Sequence, residues 1–195
     1  MLRRVLVIVV ITGLLAACAS RPGAVSETNP GPRNNLMYAV AWKQTAAEYQ
    51  ALYYQGFNMA RLRVEQALMN HSANDKPLAI ISDLDETLLL AHDYWGYLIN
   101  EDKDFFDDAS WDEWVAEQRM MPSPGALDFL RFCAENRVEV FYVTNRDQGE
   151  STFKLALQSL QQLEFPYADE AHLSVLRDTS NKETVQNLIR GKYQV

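Results

Sequence analysis

Hydrophobic positions along the chain fall into two patterns: short continuous runs, and longer stretches with apolar residues at three- or four-residue steps. Continuous runs are typical of buried parallel strands, and stepped stretches are typical of amphipathic helices. The runs predict strands over residues 76–82, 138–144 and 173–176, with a further strand starting at 193–195. The stepped stretches predict helices over about 42–70, 123–136, 149–163 and 181–190. Because strands and helices alternate, we expect an α/β fold, a parallel sheet with helices on both faces.

The predicted helices have inward-facing stripes and recognisable ends. The long N-terminal helix over 42–70 has an apolar stripe made of Tyr49, Tyr53, Phe57, Ala60, Val64 and Ala67. In the next helix the expected inner residues are Ala126, Leu127, Leu130, Cys133 and Ala134. Ser123 and Pro124 are typical of an N-cap and a first helical position, and Gly191 is typical of a C-terminal stop.

The first 40 residues have the composition of targeting and linker segments. Residues 1–17 combine Arg3 and Arg4 with an apolar run too short for a stable membrane span, which predicts a signal peptide. Residues 18–40 are rich in Ser, Pro, Gly and Asn and predict a flexible tether. The globular domain is therefore expected over residues 41–195, with a polar and aromatic insertion over 91–121.

Cys18 is the candidate attachment point for lipid. The sequence Leu-Ala-Ala-Cys at residues 15–18 resembles a bacterial lipobox, so we expect cleavage before Cys18 and acylation of this residue. Several acyl chains anchor a protein firmly, because each buried CH₂ contributes about 0.8 kcal/mol. Ser20 is not the aspartate of the inner-membrane retention signal, which favours a periplasm-facing lipoprotein of the outer membrane. An ordinary secretory signal with a chance cysteine is the alternative.

Charge, cysteine and histidine usage narrow the classes of function. The formal net charge is −8, and loss of Arg3 and Arg4 with the signal peptide lowers it to −10. No Lys/Arg stripe is present, so binding to a nucleic-acid backbone is not expected. Cys133 is interpreted as a small buried hydrophobic residue, since no histidine is near it in sequence. The three histidines, His71, His92 and His172, lack the spacing of a zinc site and are interpreted as structural or exposed.

Two aspartates directly follow the first predicted strand, in the sequence Asp83-Leu84-Asp85-Glu86-Thr87. Ligands of open parallel sheets bind outside the carboxyl ends of the strands. Carboxylates at that edge can share a divalent cation, and one of them can attack a phosphorus atom. If the strand continued, Asp83 and Asp85 would point to opposite faces, so they converge only if the chain turns there. A pair of turn-capping aspartates is the structural alternative.

The later strands carry further polar groups at the same predicted edge. Thr144, Asn145 and Arg146 end the strand Val140–Val143, and Lys182 stands 38 positions after Thr144, near a helix start. Capping by Thr144 and simple solvation of Lys182 are the structural alternatives.

Together these motifs resemble those of the haloacid dehalogenase superfamily, and the Phe-Tyr-Val-Thr-Asn-Arg sequence resembles its lipoprotein e class C acid phosphatases, which include periplasmic 5′-nucleotidases. The resemblance implies a Rossmann-like, haloacid dehalogenase-like sheet with a small helical cap, Mg²⁺ as cofactor and phosphomonoesters as substrates. It implies Asp83 as the nucleophile, Asp85 as the general acid and base, Thr144 as a phosphoryl ligand and Lys182 as the neutralising cation. Asn145 and Arg146 are the other expected substrate-binding residues of this motif, and the metal ligands are expected to be Asp83 and the backbone carbonyl of Asp85.

Two departures from the family pattern change the expectation. After Asp-x-Asp-Glu-Thr the sequence is Leu90-Ala91-His92-Asp93-Tyr94, in which only the tyrosine matches the family's usual motif. No Gly-Asp-Asn motif with further metal-binding aspartates follows Lys182, so the chain resembles a family member cut before motif four. We therefore expect weak metal binding and slow turnover. An impaired phosphate-binding lipoprotein and a phosphotransferase are the alternative functions.

The insertion over 91–121 concentrates aromatic residues near the predicted site: Tyr94, Trp95, Tyr97, Phe105, Phe106, Trp111 and Trp114. Such rings either stack on a nucleobase or form the private core of a small helical cap, and the sequence leaves both open. The family resemblance implies that Trp111 stacks on the base.

Overall fold

A computed structural model describes Asn34 and residues 36–195. Its helices are α1 (Leu36–Thr45), α2 (Ala47–Asn70), α3 (His92–Asn100), α4 (Asp108–Ala116), α5 (Ala126–Glu135), α6 (Thr152–Gln162) and α7 (Glu183–Lys192). Its strands are β1 (Ala79–Ser82), β2 (Leu89–Leu90), β3 (Met121–Pro122), β4 (Glu139–Asn145) and β5 (Leu173–Leu176). A 3₁₀ turn, Gly149–Ser151, precedes α6.

The main sheet has three parallel strands in the order β1-β4-β5. Ser82 at the end of β1 is opposite Tyr142, and Asn145 at the end of β4 is opposite Leu176 at the end of β5. Because the strands are parallel, their carboxyl ends meet at one edge of the sheet. That edge receives the polar residues that follow each strand. The predicted α/β fold with a parallel sheet is confirmed.

Both faces of the central strand β4 are covered by other parts of the fold. Val140 and Tyr142 are fully buried on one face, and Val143 on the other is 1% exposed. Such apolar side chains each contribute roughly 1.5–3 kcal/mol when fully buried. The helix α5 packs on β4 and α6 packs on β5. The residues at the edge of the sheet are therefore attached to buried, well-packed strands.

The insertion between β1 and α5 has its own short sheet. Strands β2 and β3 are antiparallel, with Leu89 opposite Pro122 and Leu90 opposite Met121. They bring the two ends of the insertion together, so that α3 and α4 lie between them along the chain. The predicted insertion is therefore closed at its base by a two-stranded ribbon.

Three sequence predictions about helix ends are wrong. The long N-terminal helix is two helices, because Ala46 is extended (φ −80°, ψ 125°) and interrupts the hydrogen-bond ladder. Ser123 does not cap α5, whose N-cap is Gly125; the Ser123 hydroxyl instead donates to the carbonyl of Thr87 at 2.7 Å. Gly191 does not stop α7, which continues to Lys192.

Gly125 is required by both conformation and space. Its φ is +84°, in the left-handed region that favours glycine. A Cβ at this position would lie 3.0 Å from Cδ1 of Tyr54 on α2. The close approach allows Phe57 of α2 to contact Phe129 of α5, with ring centroids 5.8 Å apart. Phe57 belongs to the apolar stripe predicted for the N-terminal helix, so this part of the stripe packs against α5.

Some predictions concern residues before Asn34, which the structure does not describe. The signal peptide, Cys18 and most of the tether lie outside the described residues. Within Asn34 and residues 36–195, no helix has both the length and the apolar character needed to cross a bilayer. The start of a fourth parallel strand is present as a single bridge between Gln194 and Leu78.

Candidate active site

A tight turn after β1 presents the two aspartates. The carbonyl of Leu84 accepts hydrogen bonds from the amides of Thr87, Leu88 and Leu89, at 3.2, 2.8 and 2.9 Å. The Leu84 side chain is fully buried, which fixes the turn against the core. Asp83 and Asp85 therefore leave the strand at the edge of the sheet instead of pointing to opposite faces. The turn that their convergence requires is present.

Asp83 forms an ion pair with Lys182. The Lys182 Nζ lies 2.6 Å from Oδ2 of Asp83, and the amide of Leu84 donates to Oδ1 at 2.8 Å. The Asp83 side chain is 43% exposed, so one face of the carboxylate remains open to solvent. Lys182 reaches it from the residue just before α7, although it is separated by 99 positions in sequence. The predicted nucleophile and neutralising cation are thus brought together.

Asp85 forms a two-pronged ion pair with Arg146. Nε donates to Oδ2 at 2.8 Å and Nη2 donates to Oδ1 at 2.6 Å. The Arg146 side chain is completely buried, and its Nη1 has no partner among the described residues. A paired guanidinium of this geometry fixes the plane of the carboxylate as well as its position. Thr144 is beside them, with its hydroxyl 3.5 Å from Oδ2 of Asp85.

Asn145 and Arg146, the other residues expected to bind substrate, both form hydrogen bonds to other parts of the chain. Arg146 is aimed at Asp85, so direct contact with a substrate requires this pair to open. The Asn145 amide donates to the carbonyl of Thr179 and so ties the end of β4 to the loop after β5. That loop leads directly to Lys182. Both residues therefore organise the edge of the sheet in this structure.

A polar cavity of about 400 Å³ opens beside Arg146. Its lining consists of Phe106, Asp108, Trp111, Asp112, Asn145, Arg146, Asp147 and Gln148. A larger groove of about 590 Å³ lies between α2 and β1, but its lining is mostly apolar. The smaller cavity joins aromatic rings to the residues at the sheet edge, and it is the one suited to a polar ligand with a ring.

The aromatic residues of the insertion divide into core and cavity groups. Tyr94 is fully buried and contacts the rings of Trp95, Trp111 and Trp114, at centroid distances of 5.5, 4.9 and 5.7 Å. Trp114 is 4% exposed. Trp111 and Phe106 contact the same cluster, yet they also line the cavity. The private-core interpretation holds for Tyr94 and Trp114, and Trp111 remains in position to meet a ligand.

Asp107 begins the helix that carries Trp111. Its carboxylate accepts from the amide of Ser110 at 3.1 Å and from the Lys103 ammonium at 2.6 Å, which caps α4. The hydrogen bonds from Lys103 and Ser110 lower the pKa of Asp107 to about 2. The cap is therefore charged at all but strongly acidic pH.

Glu86 is a site feature that sequence reasoning missed. Its carboxylate pairs with Lys43 and accepts from Nε1 of Trp95 at 3.0 Å and from the amide of Ala91 at 3.3 Å. Burial acts to raise the pKa of Glu86, but the hydrogen bonds from Lys43 and Trp95 outweigh it and hold the pKa below its usual value. The only sequence signal was its place between Asp85 and Thr87.

The residues around Asp83 offer a partial fit to Mg²⁺. The ion prefers oxygen ligands, keeps several waters and is held by one or two carboxylates plus substrate phosphate. Asp83 provides a partly exposed carboxylate, and the carbonyl of Asp85 is next to it along the turn. Within the described part of the chain, no cluster of three or more His, Cys, Asp or Glu residues could enclose a metal. These two protein oxygens would suit a Mg²⁺ ion whose remaining ligands are water and substrate phosphate.

Cys133 and His172 lie outside the candidate active site. Cys133 is fully buried, and burial raises the pKa of its thiol to about 12. A thiol of that kind is a poor nucleophile at neutral pH, and the interpretation of Cys133 as a buried hydrophobic residue is confirmed. His172 lies between Asp169 and Glu139, at 2.7 and 3.2 Å, beside the amino ends of β4 and β5.

Comparison with known proteins identifies a family. The family model described as HAD superfamily, subfamily IIIB (Acid phosphatase), matches residues 14–194. Among solved structures, the class C acid phosphatase from Bacillus anthracis is similar at a TM-score of 0.76 and 28% identity. The alignment covers 83% of this chain and 66% of that one, so the chain spans just under two thirds of the relative's length. The same enzyme with tungstate bound matches equally well.

Proposed function

The chain belongs to the HAD superfamily, subfamily IIIB (acid phosphatase), and we propose that it hydrolyses phosphomonoesters through a phosphoaspartate on Asp83. The observation that carries the proposal is the pairing of two carboxylates with two cations at one edge of the sheet. Lys182 contacts Asp83 at 2.6 Å, and Arg146 contacts Asp85 at 2.6 and 2.8 Å. The Asp83 carboxylate is 43% exposed, whereas the Arg146 side chain that holds Asp85 is completely buried, which suits two different roles.

In the first half-reaction an Asp83 carboxylate oxygen attacks the phosphorus atom. The bond from phosphorus to the ester oxygen breaks, and its electron pair goes to the leaving oxygen. Asp85 donates a proton to that oxygen, so the alcohol leaves neutral. To do so, Asp85 must carry a proton and turn one oxygen away from Arg146. Because this step needs protonated Asp85, we expect activity to be highest at acidic pH.

In the second half-reaction Asp85 acts as the base. It accepts a proton from water while the water oxygen attacks phosphorus, and the bond to Asp83 breaks with its electrons returning to the carboxylate. Thr144 and Lys182 bind the phosphoryl oxygens, where negative charge collects. When bound by Asp83 and the Asp85 carbonyl, Mg²⁺ would reduce the repulsion between the nucleophile and the phosphate.

The polar cavity supports a nucleotide-like substrate. Trp111 and Phe106 offer ring faces within a space of about 400 Å³ that also contacts Arg146. Base stacking on an aromatic side chain contributes roughly 1–3 kcal/mol and tolerates different bases. A nucleoside 5′-monophosphate would place its phosphate at the sheet edge and its base among these rings.

The direct test measures phosphate release from adenosine 5′-monophosphate and p-nitrophenyl phosphate, with Mg²⁺ and with EDTA. We expect Mg²⁺-dependent hydrolysis that is lost in Asp83→Asn. Tungstate titration gives a second readout, because the related Bacillus anthracis enzyme was solved with this anion bound. Binding without turnover would favour the alternative of a phosphate-binding lipoprotein, and neither binding nor turnover would refute the proposal. Transfer of phosphate to added glycerol in preference to water would instead show a phosphotransferase.

We also propose that the protein is held at the periplasmic side of the outer membrane by lipid on Cys18. The support is the lipobox-like sequence at residues 15–18 and the serine at position 20. Globomycin should cause the uncleaved form to accumulate, and Cys18→Ser should release or misprocess the protein. Normal membrane retention of Cys18→Ser would contradict the proposal.

A further inference from the structure

The backbone of Glu86 adopts a conformation that its side chain opposes. Its φ is +54°, in the left-handed region where glycine is favoured and other residues are uncommon. Left-handed backbone costs a non-glycine residue roughly 1–2 kcal/mol. A glutamate is therefore kept at this position against local preference, and its contacts must compensate.

Those contacts join three parts of the chain at one carboxylate. Lys43 reaches Glu86 from α1, Trp95 reaches it from α3, and the Ala91 amide donates from the residue before α3. Tyr53 of α2 donates to the Glu86 backbone carbonyl at 2.8 Å. We call the group of Lys43, Glu86, Tyr53 and Trp95 the clamp. The contacts of the clamp meet at Glu86, the residue directly after Asp85.

The clamp acts on the same backbone that orients the two aspartates. The Glu86 amide donates a hydrogen bond to the carbonyl of Leu89 at 2.8 Å, and the Leu89 amide donates one to the carbonyl of Leu84 at 2.9 Å. A rotation at residue 86 would therefore move Asp85 relative to Asp83. Reacting groups must be held closely, and a displacement of about 1 Å can lower a rate by roughly 100-fold.

We propose that Glu86, held by Lys43, Trp95 and Tyr53, is a positioning residue that sets the orientation of Asp85 relative to Asp83. This inference rests on the proposed function. It makes the N-terminal helices α1 and α2, which carry Lys43 and Tyr53, part of the apparatus that positions the site. Glu86 itself contacts no reacting atom, and its effect passes through the backbone of the turn.

The test compares Glu86→Gly with Glu164→Gly. Glycine removes the carboxylate and fits the left-handed backbone without strain. Glu164 is the matched control, because it is also a glutamate with positive φ (57°), and its one ion pair within the described part of the chain is an exposed contact with Arg131 at 3.4 Å. We expect Glu86→Gly to lower kcat by about 10- to 100-fold with a much smaller change in KM, and Glu164→Gly to leave both unchanged.

Lys43→Met opens the clamp without altering the turn's own sequence. We expect it to lower kcat in the same way, and the Lys43→Met/Glu86→Gly double variant to be no slower than Glu86→Gly within about twofold, because partners in one network are not additive. Glu86→Gln keeps an oxygen that accepts from Trp95 and Ala91, so it should restore part of the rate. Full activity in Glu86→Gly, or equal losses in Glu164→Gly, would overturn the proposal.

Amide hydrogen exchange separates this inference from the proposed function. The amides of Thr87, Leu88 and Leu89 report on the turn directly and need no substrate. We expect faster exchange at these amides in Glu86→Gly and Lys43→Met than in wild type and in Glu164→Gly. Unchanged exchange would overturn the clamp even if the enzyme is active. A wild-type chain without phosphatase activity would instead refute the proposed function and leave the exchange result as the test of the clamp.

Discussion

The two carboxylate–cation pairs of the site differ in burial and geometry. Asp83 is 43% exposed and meets Lys182 at a single oxygen, whereas Asp85 is 24% exposed and is held at both oxygens by a fully buried Arg146. The partly exposed Asp83–Lys182 pair opens at less cost than the Asp85–Arg146 pair, since pairs in contact with solvent contribute about 0–1 kcal/mol. A buried pair resists opening, because the lone charge left behind is poorly solvated.

This difference matches the division of work in the proposed mechanism. A nucleophile must release its cation and approach phosphorus, which an exposed single contact allows. A group that donates and then accepts a proton must return to one orientation, which a two-pronged contact provides. The contrast therefore predicts that the two pairs respond differently to the same kind of substitution.

The largest effect is expected from Asp83→Asn, which removes the proposed nucleophile but keeps the shape of the side chain. Activity should fall by at least about 10⁴-fold, as is usual for loss of a catalytic nucleophile. Stability should change little, because the Asp83 side chain is 43% exposed and solvent weakens its pair with Lys182. Steady-state hydrolysis of p-nitrophenyl phosphate and thermal melting measure both. Asp128→Asn, on the exposed surface of α5, is the matched control and should behave as wild type.

The comparison of Lys182→Met with Arg146→Met tests the contrast itself. Both should lower activity by about 100- to 1000-fold, because each removes a cation from the site. Only Arg146→Met should lower the free energy of unfolding strongly, by about 3 kcal/mol, since it leaves Asp85 unpaired. Lys182→Met should change it by about 1 kcal/mol or less. Urea unfolding gives both values, and equal losses would show that burial does not distinguish the pairs.

The same contrast between cavity and core applies to two tryptophans. Trp111→Ala should raise KM for adenosine 5′-monophosphate by about 10-fold through lost stacking, with little effect on β-glycerol phosphate, which has no ring. Trp114→Ala should instead destabilise the protein by about 3 kcal/mol, because this side chain is in the core. Equal KM changes for both substrates would argue against a base-binding role for Trp111.

The smallest effect concerns the cap of α4. The pKa of Asp107 is lowered to about 2 from its ordinary 3.8, so its stabilising contribution is complete above about pH 4 and is lost as the pH falls towards 2. Asp107→Asn cannot titrate. The difference in melting temperature between wild type and this variant should therefore be largest above pH 4 and disappear near pH 2. A difference that does not depend on pH would show that the charge of Asp107 is unimportant.

The sequence alone determined the alternation of strands and helices, because apolar spacing is a local property of the chain. The strand over Leu173–Leu176 has the predicted bounds, and β4 differs by one residue at each end. The sequence also placed Asp83, Asp85, Thr144 and Lys182 after successive strands. Since parallel strands end at one edge, their proximity followed from topology without knowledge of any distance.

Helix ends were less predictable, because they depend on contacts that local pattern does not contain. The predicted helix over 42–70 includes Ala46, yet the helix breaks there. Gly191 has the residue type of a stop, but α7 continues through it. Ser123 has the residue type of a cap, but its hydroxyl is taken by Thr87, 36 positions earlier. At Ser123 a tertiary contact, and at Gly191 the continuing backbone ladder, outweighed a local preference of about 1 kcal/mol.

Only the tertiary structure decided which partner each charge received. Arg146 was expected among the substrate-binding residues, and the structure pairs its buried side chain with Asp85, 61 positions away in sequence. Glu86 carried no separate signal, yet it joins α1 and α3 through Lys43 and Trp95. Pairing of this kind depends on the register of the sheet and on how helices pack over it, to within about 1 Å. Residue types and their spacing encode the period of each element, whereas this precision arises only when all elements pack together.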